Sequence, residues 1–418
     1  MVWGLGVGYV ISGEYFGWNL GLPEGGTLGM LAATIVVTIM YVTFVLGYAE
    51  VACAIPRAGG AFVYANRAFG ERIGFLVGLA QLVEFVFAPP AIALAIGAYF
   101  NIFLPSVPPW LIAGGAYVLF TGLNIWGVKQ SAIFELVITI LAVGELLIFC
   151  GVTLPEFDSA AFMADPLPNG WSGALAAIPF AIWFYLAIEG VANVAEETRN
   201  PQRDIPLGFG TAMATLAVLA LLTLLSSVGV AGWKAVVFNS AGEMVDKPLP
   251  LALSRVVGES HGLYHLLIAI GLFGLVASFH GIILVAGRAT LEFGRSRHLP
   301  AIFGKTHATR HTPAAALVLN MLVGFIALAT GHTGEIITMS VFGALTLYAA
   351  SMAALFRLRK LEPELERPYR TPGYPVVPAI ALILAILCLG AVAYSAPMVG
   401  GVYVAVLAVG FGAFLAAR

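Results

Sequence analysis

Charge is scarce in this chain. Only 10% of its 418 residues are Asp, Glu, Lys or Arg, against 60% hydrophobic, and a soluble fold has no means of hiding that much apolar surface. Cysteine is scarcer still. Cys53, Cys150 and Cys388 are too scattered for a metal cluster or a disulfide framework, and each falls in or beside an apolar run, where a thiol packs as a small hydrophobe. No GxxxxGK[ST] loop is present, which argues against an ATP-driven pump housed in this chain and leaves gradients or exchange as the energy source. No basic n-region followed by a short apolar run and a cleavage site opens the sequence, so its first apolar segment is expected to be a retained span. The basic loops are short and mixed with Glu, Pro or Gly, a topology signal and not a nucleic-acid surface.

What the chain has in abundance is apolar runs, and its mean hydropathy is +0.95. Windows of about 20 apolar residues, the length that crosses a hydrocarbon core, recur near 3–20, 28–54, 72–104, 110–127, 130–153, 173–195, 206–230, 262–290, 313–331, 336–356, 376–395 and 399–416. The expected fold is therefore an all-α polytopic membrane protein of about 12 transmembrane helices. Sorting the connecting loops alternately separates the cations. One set holds Arg57, Arg67, Arg72, Lys129, Arg199, Arg203, Arg295, Arg297, Lys305, Arg310, Arg357, Arg359, Lys360, Arg367 and Arg370; the other holds Lys234, Lys247 and Arg255. The positive-inside rule makes the first set cytoplasmic, and an even number of spans puts both termini there.

Two carboxylates interrupt this pattern, each inside a span and beside glycine. Glu14 follows Ser12-Gly13 in the first run, and Glu189 precedes Gly190 in the sixth. An ionisable group at bilayer depth costs at least about 2.5 kcal/mol and marks a functional interior by default. Spans 1–5 and 6–10 make two units of five, and an odd number of crossings per unit inverts one relative to the other. The two interrupted spans are the first of each unit. Gly6, Gly8, Gly13 and Gly190 are expected to supply the freedom for broken helices, with close helix packing as the alternative for Gly6 and Gly8. The corresponding divisions are 1–155, 156–360 and 361–418.

These features resemble the amino acid–polyamine–organocation transporters, whose fold is the five-plus-five inverted repeat of the leucine transporter. The resemblance rests on Ser12-Gly13, on Tyr48-Ala-Glu-Val51 followed by Ile55-Pro-Arg-Ala-Gly-Gly-Ala-Phe-Val-Tyr64, on Glu196-Glu-Thr-Arg-Asn-Pro-Gln-Arg-Asp-Ile-Pro206, on Arg288 through Pro300, and on Arg367-Pro-Tyr-Arg-Thr-Pro-Gly-Tyr-Pro375. It covers nearly the whole chain. Within the superfamily, the stretch from Gly6 to Asn19 looks most like the ethanolamine permeases. The resemblance implies a secondary transporter with substrate held between broken helices 1 and 6.

On that reading Ser12, Gly13, Glu14, Tyr15, Ile188, Glu189 and Gly190 line the breaks, and Trp183 or Tyr185 inherits the family's aromatic gate on helix 6. A carboxylate at Glu14 repels a substrate carboxylate and can itself occupy the break-1 amides, so the site prefers a cation such as ethanolamine. Aromatic faces at Tyr15, Phe16, Trp18, Trp183, Phe184 and Tyr185 suit an ammonium, each worth roughly 0.5–2 kcal/mol. Glu84, which shares a helical face with Gln81, and Ser278 with His280 are further candidates for substrate contact. Glu145, Glu189, Trp183 and Tyr185 are candidates for gating or proton coupling, and Glu135 for a structural partnership.

Some proton-coupled members of the superfamily carry a helix-5 lysine in place of sodium. The matching position here is Ala142, which leaves protons, sodium, membrane potential and exchange open. Neither a cofactor nor a metal is expected; membrane lipid is the expected surrounding. The rival readings are an amino-acid or polyamine carrier of the same fold, a non-transporting receptor, and a membrane enzyme, for which His261 and His265 lack an acidic cluster at suitable spacing.

Overall fold

The computed structural model describes residues 2–57, 59–127, 132–197 and 200–416. The helices are α1 (Val2–Val10), α2 (Ser12–Tyr15), α3 (Leu22–Ala54), α4 (Gly60–Phe69), α5 (Glu71–Phe100), α6 (Pro109–Trp126), α7 (Ala132–Thr153), α8 (Ser159–Phe162) and α9 (Gly170–Ala176). They continue with α10 (Ile178–Trp183), α11 (Pro201–Ala231), α12 (Trp233–Val237), α13 (Pro248–Val257), α14 (Gly262–Arg295), α15 (Ala314–Thr330), α16 (Thr333–Leu361), α17 (Val376–Ser395) and α18 (Pro397–Ala416). Among the described residues no strand occurs beyond one bridge between Phe238 and Met244.

Ten of the twelve apolar stretches hold one long helix each, and the first and sixth are divided into shorter helical pieces. Among the described residues nine segments are long and apolar enough to cross a membrane on length and composition alone; the first stretch, α6 and α15 fall outside that count. The first stretch is broken at Ile11, leaving pieces too short to span, and α15 has 17 residues. Punctuation follows local chemistry. Proline opens α6, α11 and α13, where its missing N–H is harmless, and left-handed Gly127 and Gly331 close α6 and α15. Pro89 and Pro90 sit inside α5, as prolines do in membrane helices whose freed carbonyls find partners on neighbouring groups.

The core runs through α1, α3, α5, α10, α14 and α16, and α17 and α18 are peripheral. Only 11% of the apolar window of α18 is buried in protein, so most of its side chains face the surroundings, which at that depth are hydrocarbon. Gly6 and Gly8 lie inside regular α1 and do not break it. Side chains added there would sit 2.9 Å from Ala212 Cβ and 2.5 Å from Glu135 Oε1. Close packing, the alternative reading, describes them.

Two of the basic loops, those after the second and tenth apolar stretches, meet beside a buried acid. Glu50, near the end of α3, is fully buried and accepts from Arg359 Nε at 2.8 Å and Nη2 at 2.6 Å, and from the Thr371 N–H at 2.7 Å and hydroxyl at 2.8 Å. Arg367 Nε lies 3.3 Å from its other oxygen. Arg357 donates to the Ala68 carbonyl, and Arg67 pairs bidentately with Glu362. Lys129 and Arg199, of the same charge set, lie outside the described residues.

The Arg67 guanidinium holds the Glu362 carboxyl below its usual range. A lowered folded value adds stability above the unfolded value of about 4.3 and loses it as pH falls through the folded one. Because both side chains are partly exposed, Glu362→Gln should cost less than about 1 kcal/mol at neutral pH. Melts of purified protein should show that difference closing below about pH 4.

Candidate functional site

The first apolar stretch breaks where its backbone can be satisfied from outside. After Val10 the chain turns at Ile11, makes the single turn α2, extends at Phe16, passes through left-handed Gly17 (φ 88°), and enters α3 by a 3₁₀ turn at Trp18–Gly21. Freed backbone groups in a membrane interior cost several kcal/mol each unless they find partners. Ser278, on α14, supplies two: its Oγ accepts from the Ser12 N–H at 3.0 Å and donates to the Gly8 carbonyl at 2.7 Å. The Glu14 N–H returns to the Ile11 carbonyl at 3.0 Å. Trp18 Nε1 donates to the Glu14 carbonyl, and the Tyr99 hydroxyl donates to that of Tyr15.

The second break follows α10. Phe184–Ala187 form turns, Ala187 adopts φ 74°, and a 3₁₀ stretch begins at Ile188. A left-handed backbone costs an alanine roughly 1–2 kcal/mol, a strain typical of functional sites. The two breaks touch backbone to backbone. A Cβ on Gly13 would collide with the Trp183 carbonyl oxygen, and one on Gly17 with Trp183 Cδ1. Phe16 meets Trp183 edge-on at 5.4 Å, and Trp18 stacks on Phe184 at 5.9 Å. The expected role of Gly190 in breaking the helix is corrected: the turn falls before it, and a Cβ there would make only ordinary contacts.

Glu14 sits at this junction with 0% exposure, and neither carboxyl oxygen has a hydrogen-bond partner. Its carboxylate is not folded onto the break-1 amides as anticipated, because Ser278 and the Ile11 carbonyl hold those of Ser12 and Glu14. Tyr185 and Cys150 lie within its electrostatic reach. A buried carboxyl without partners is unstable as an anion unless a cation or proton joins it.

The second acid belongs to a different cluster. Glu189 and Glu84 of α5 gather at one hydroxyl, and Glu189 Oε1 and Glu84 Oε2 have no hydrogen-bond partner. The Tyr348 hydroxyl of α16 donates to Glu189 Oε2 at 2.9 Å and lies 3.5 Å from Glu84 Oε1; Tyr41 Oη of α3 stands 3.1 Å from it. The rings of Tyr41 and Tyr185 are 5.1 Å apart, and the Tyr185 hydroxyl bonds Thr38 at 2.7 Å. Tyrosines thus connect the Glu14 junction to these two acids.

The remaining candidates disperse. Tyr15 turns away to Glu145, donating to Oε2 at 2.7 Å, with the Ala142 carbonyl at 3.2 Å. Glu135 lies against Gly8 with both oxygens unpartnered, so its structural partnership is a close approach without a hydrogen bond. His280 faces α6, where Asn124 Nδ2 stands 3.3 Å from Nδ1 and the Phe120 ring packs beside it; it is not gathered with Ser278 and Glu14. His261 caps α14 by accepting from the Leu263 N–H. Tyr41, Tyr99 and Tyr348 were not singled out by sequence, and their only signal there is a hydroxyl at mid-span.

Residues 2–414 match the family described as amino acid permease. An uncharacterised transporter of Rhizobium meliloti is 32% identical over 92% of this chain and 83% of its own length. A methylthioribose transporter of Bacillus subtilis is 28% identical over 84% and 80%, and a low-affinity putrescine importer of Escherichia coli is 26% identical over 79% and 74%. An apolar helical bundle, broken helices meeting at buried acids and this nearly complete match agree: the chain is an integral membrane transporter belonging to the amino acid permease family, within the amino acid–polyamine–organocation superfamily.

Proposed function

We propose that this permease imports a small organic cation without a carboxylate, ethanolamine above all, across the cytoplasmic membrane by alternating access. The observation that carries the reading is Glu14, wholly buried at the contact of two helix breaks with both oxygens unpartnered. An ammonium is the ligand such a group lacks. A zwitterion would bring its own carboxylate against Glu14, and two of the break amides that would receive it are already bonded. Trp183 Nε1, a buried donor without a partner beside Gly17, suits the substrate hydroxyl.

On this reading the twelve apolar stretches cross the membrane as two inverted units, 1–155 and 156–360, followed by a last pair in 361–418, with both termini cytoplasmic. Inward movement of one positive charge gains about 2.3 kcal/mol per 100 mV of membrane potential. The putrescine importer among the relatives likewise names an amine without a carboxylate as its substrate. A second reading, an amino-acid carrier of the same fold, draws on a branched-chain amino acid permease of Bacillus subtilis at 24% identity.

Uptake of radiolabelled ethanolamine by the reconstituted protein, competed by amino acids and by putrescine, separates these. Ethanolamine uptake resistant to amino acids is expected. Strong amino-acid transport with no ethanolamine uptake would overturn the proposal.

A further inference from the structure

We infer that a second ammonium subsite lies at Glu145, in a cavity beneath α13, where an entering amine rests before it reaches Glu14; the inference rests on the cation reading above. Glu145 of α7 is 4% exposed, and its Oε2 accepts from the Tyr15 hydroxyl at 2.7 Å. Among the described residues no other hydrogen bond reaches the carboxyl. Nor does any ion pair, although Lys247 and Arg255 stand at the two ends of α13. A carboxyl enclosed in this way lacks a cation.

Around Glu145 the cavity is bounded by the rings of Tyr15, Tyr99 and Phe149, by Leu249 and Leu253 of α13, and by Gly271 of α14. Glu145 is the one charged group in this wall. The free space admits a single water-sized group, which is the size of an ammonium head. Hard metal cations call for several oxygen ligands. This wall offers one carboxyl among aromatic and apolar surfaces, a combination that suits an ammonium through charge-assisted hydrogen bonds and contact with rings.

Tyr15 joins this cavity to the first break. It follows Glu14 in the chain, and its carbonyl accepts from the Tyr99 hydroxyl at 2.7 Å. Its ring is seated against two glycines one turn apart on α14: a Cβ on Gly271 would lie 2.9 Å from Cε1, and one on Gly274 2.7 Å from Cε2. Glu14 does not line the cavity, so the two carboxyls serve successive positions of one ammonium. The cover is α13. The chain entering it is tied at two points, where Asn19 Nδ2 donates to the Val245 carbonyl at 3.1 Å and the Thr333 hydroxyl donates to Asp246 at 2.7 Å. On the orientation proposed above this loop faces outside, so an amine meets Glu145 first. Its carbon chain needs α13 to lift, and passage beside the Tyr15 ring brings the ammonium to Glu14.

The test uses melts of the full purified chain carrying Glu14→Gln, which silences the first site. Ammonium chloride is the probe, with sodium chloride and tetramethylammonium chloride at equal concentration as controls. Ammonium should raise the melting temperature as its concentration rises, and adding Glu145→Gln should weaken its apparent affinity by about tenfold or more. Leu253→Phe in the same background fills the cavity from α13 while keeping the carboxyl, and should do likewise. Stabilisation by ammonium no greater than by sodium, or its persistence in either added variant, overturns the inference. In vesicles, Glu145→Gln alone should raise the half-saturating ethanolamine concentration while the maximal uptake rate holds; a lower maximal rate at unchanged half-saturation overturns it. If ethanolamine is not taken up at all, the substrate reading fails while the ammonium melts still decide the subsite.

Discussion

Glu14→Gln should weaken ethanolamine binding by roughly 10- to 150-fold while leaving the melting temperature of the unliganded protein unchanged or higher. The first part follows from losing a charged hydrogen bond, worth about 1.5–3 kcal/mol. The second follows from geometry. Neither Glu14 oxygen bonds anything in the protein, so an isosteric neutral group removes a buried acid without removing a contact. A group that costs stability and serves only a ligand is a common signature of a functional position. Glu189→Gln should lose less affinity, because its carboxylate is already engaged by Tyr348. Isothermal calorimetry on both variants checks this, and equal losses would remove the distinction between the two acids.

Glu50→Ala is the substitution expected to cost most in stability, on the order of 3–5 kcal/mol. Glu50 is the single acceptor joining α3, α16 and the linker before α17, through Arg359 and Thr371, with Arg367 beside it. Its removal leaves the poorly exposed Arg367 and the Arg359 guanidinium facing an empty acceptor position, together with an unmatched Thr371 N–H. Breaking a buried pair from one side is costly because the other charge stays behind. The loss should appear as a lower melting temperature of detergent-purified protein with ethanolamine affinity per folded molecule retained. A melt indistinguishable from wild type would show that the cluster contributes little.

The sequence disclosed what a membrane makes expensive. Glu14 and Glu189 stood out because each is a charge in an apolar run, and Ser12-Gly13 marked the first break because small residues let two backbones approach. Chain separation hid the rest. The gathering of Glu84 and Glu189 at Tyr348 depends on contacts between distant helices. The second break was placed late because its pivot is Ala187, which carries no local signal, while nearby Gly190 drew attention. Ser278 was readable as polar at mid-span, but its double bond to the first break needed the packing of α14 on α1. His280, two positions on, is turned by helical periodicity toward α6.

Glu14 should separate a cation without a carboxylate from the same molecule with one. L-Serine is ethanolamine with a carboxylate added beside the amine. Equilibrium binding of each to the purified protein therefore tests Glu14 directly. Ethanolamine should bind at least tenfold more tightly than serine, a difference of about 1.4 kcal/mol, and Glu14→Gln should narrow the gap. Serine binding as tightly as ethanolamine, with Glu14 intact, would contradict the account.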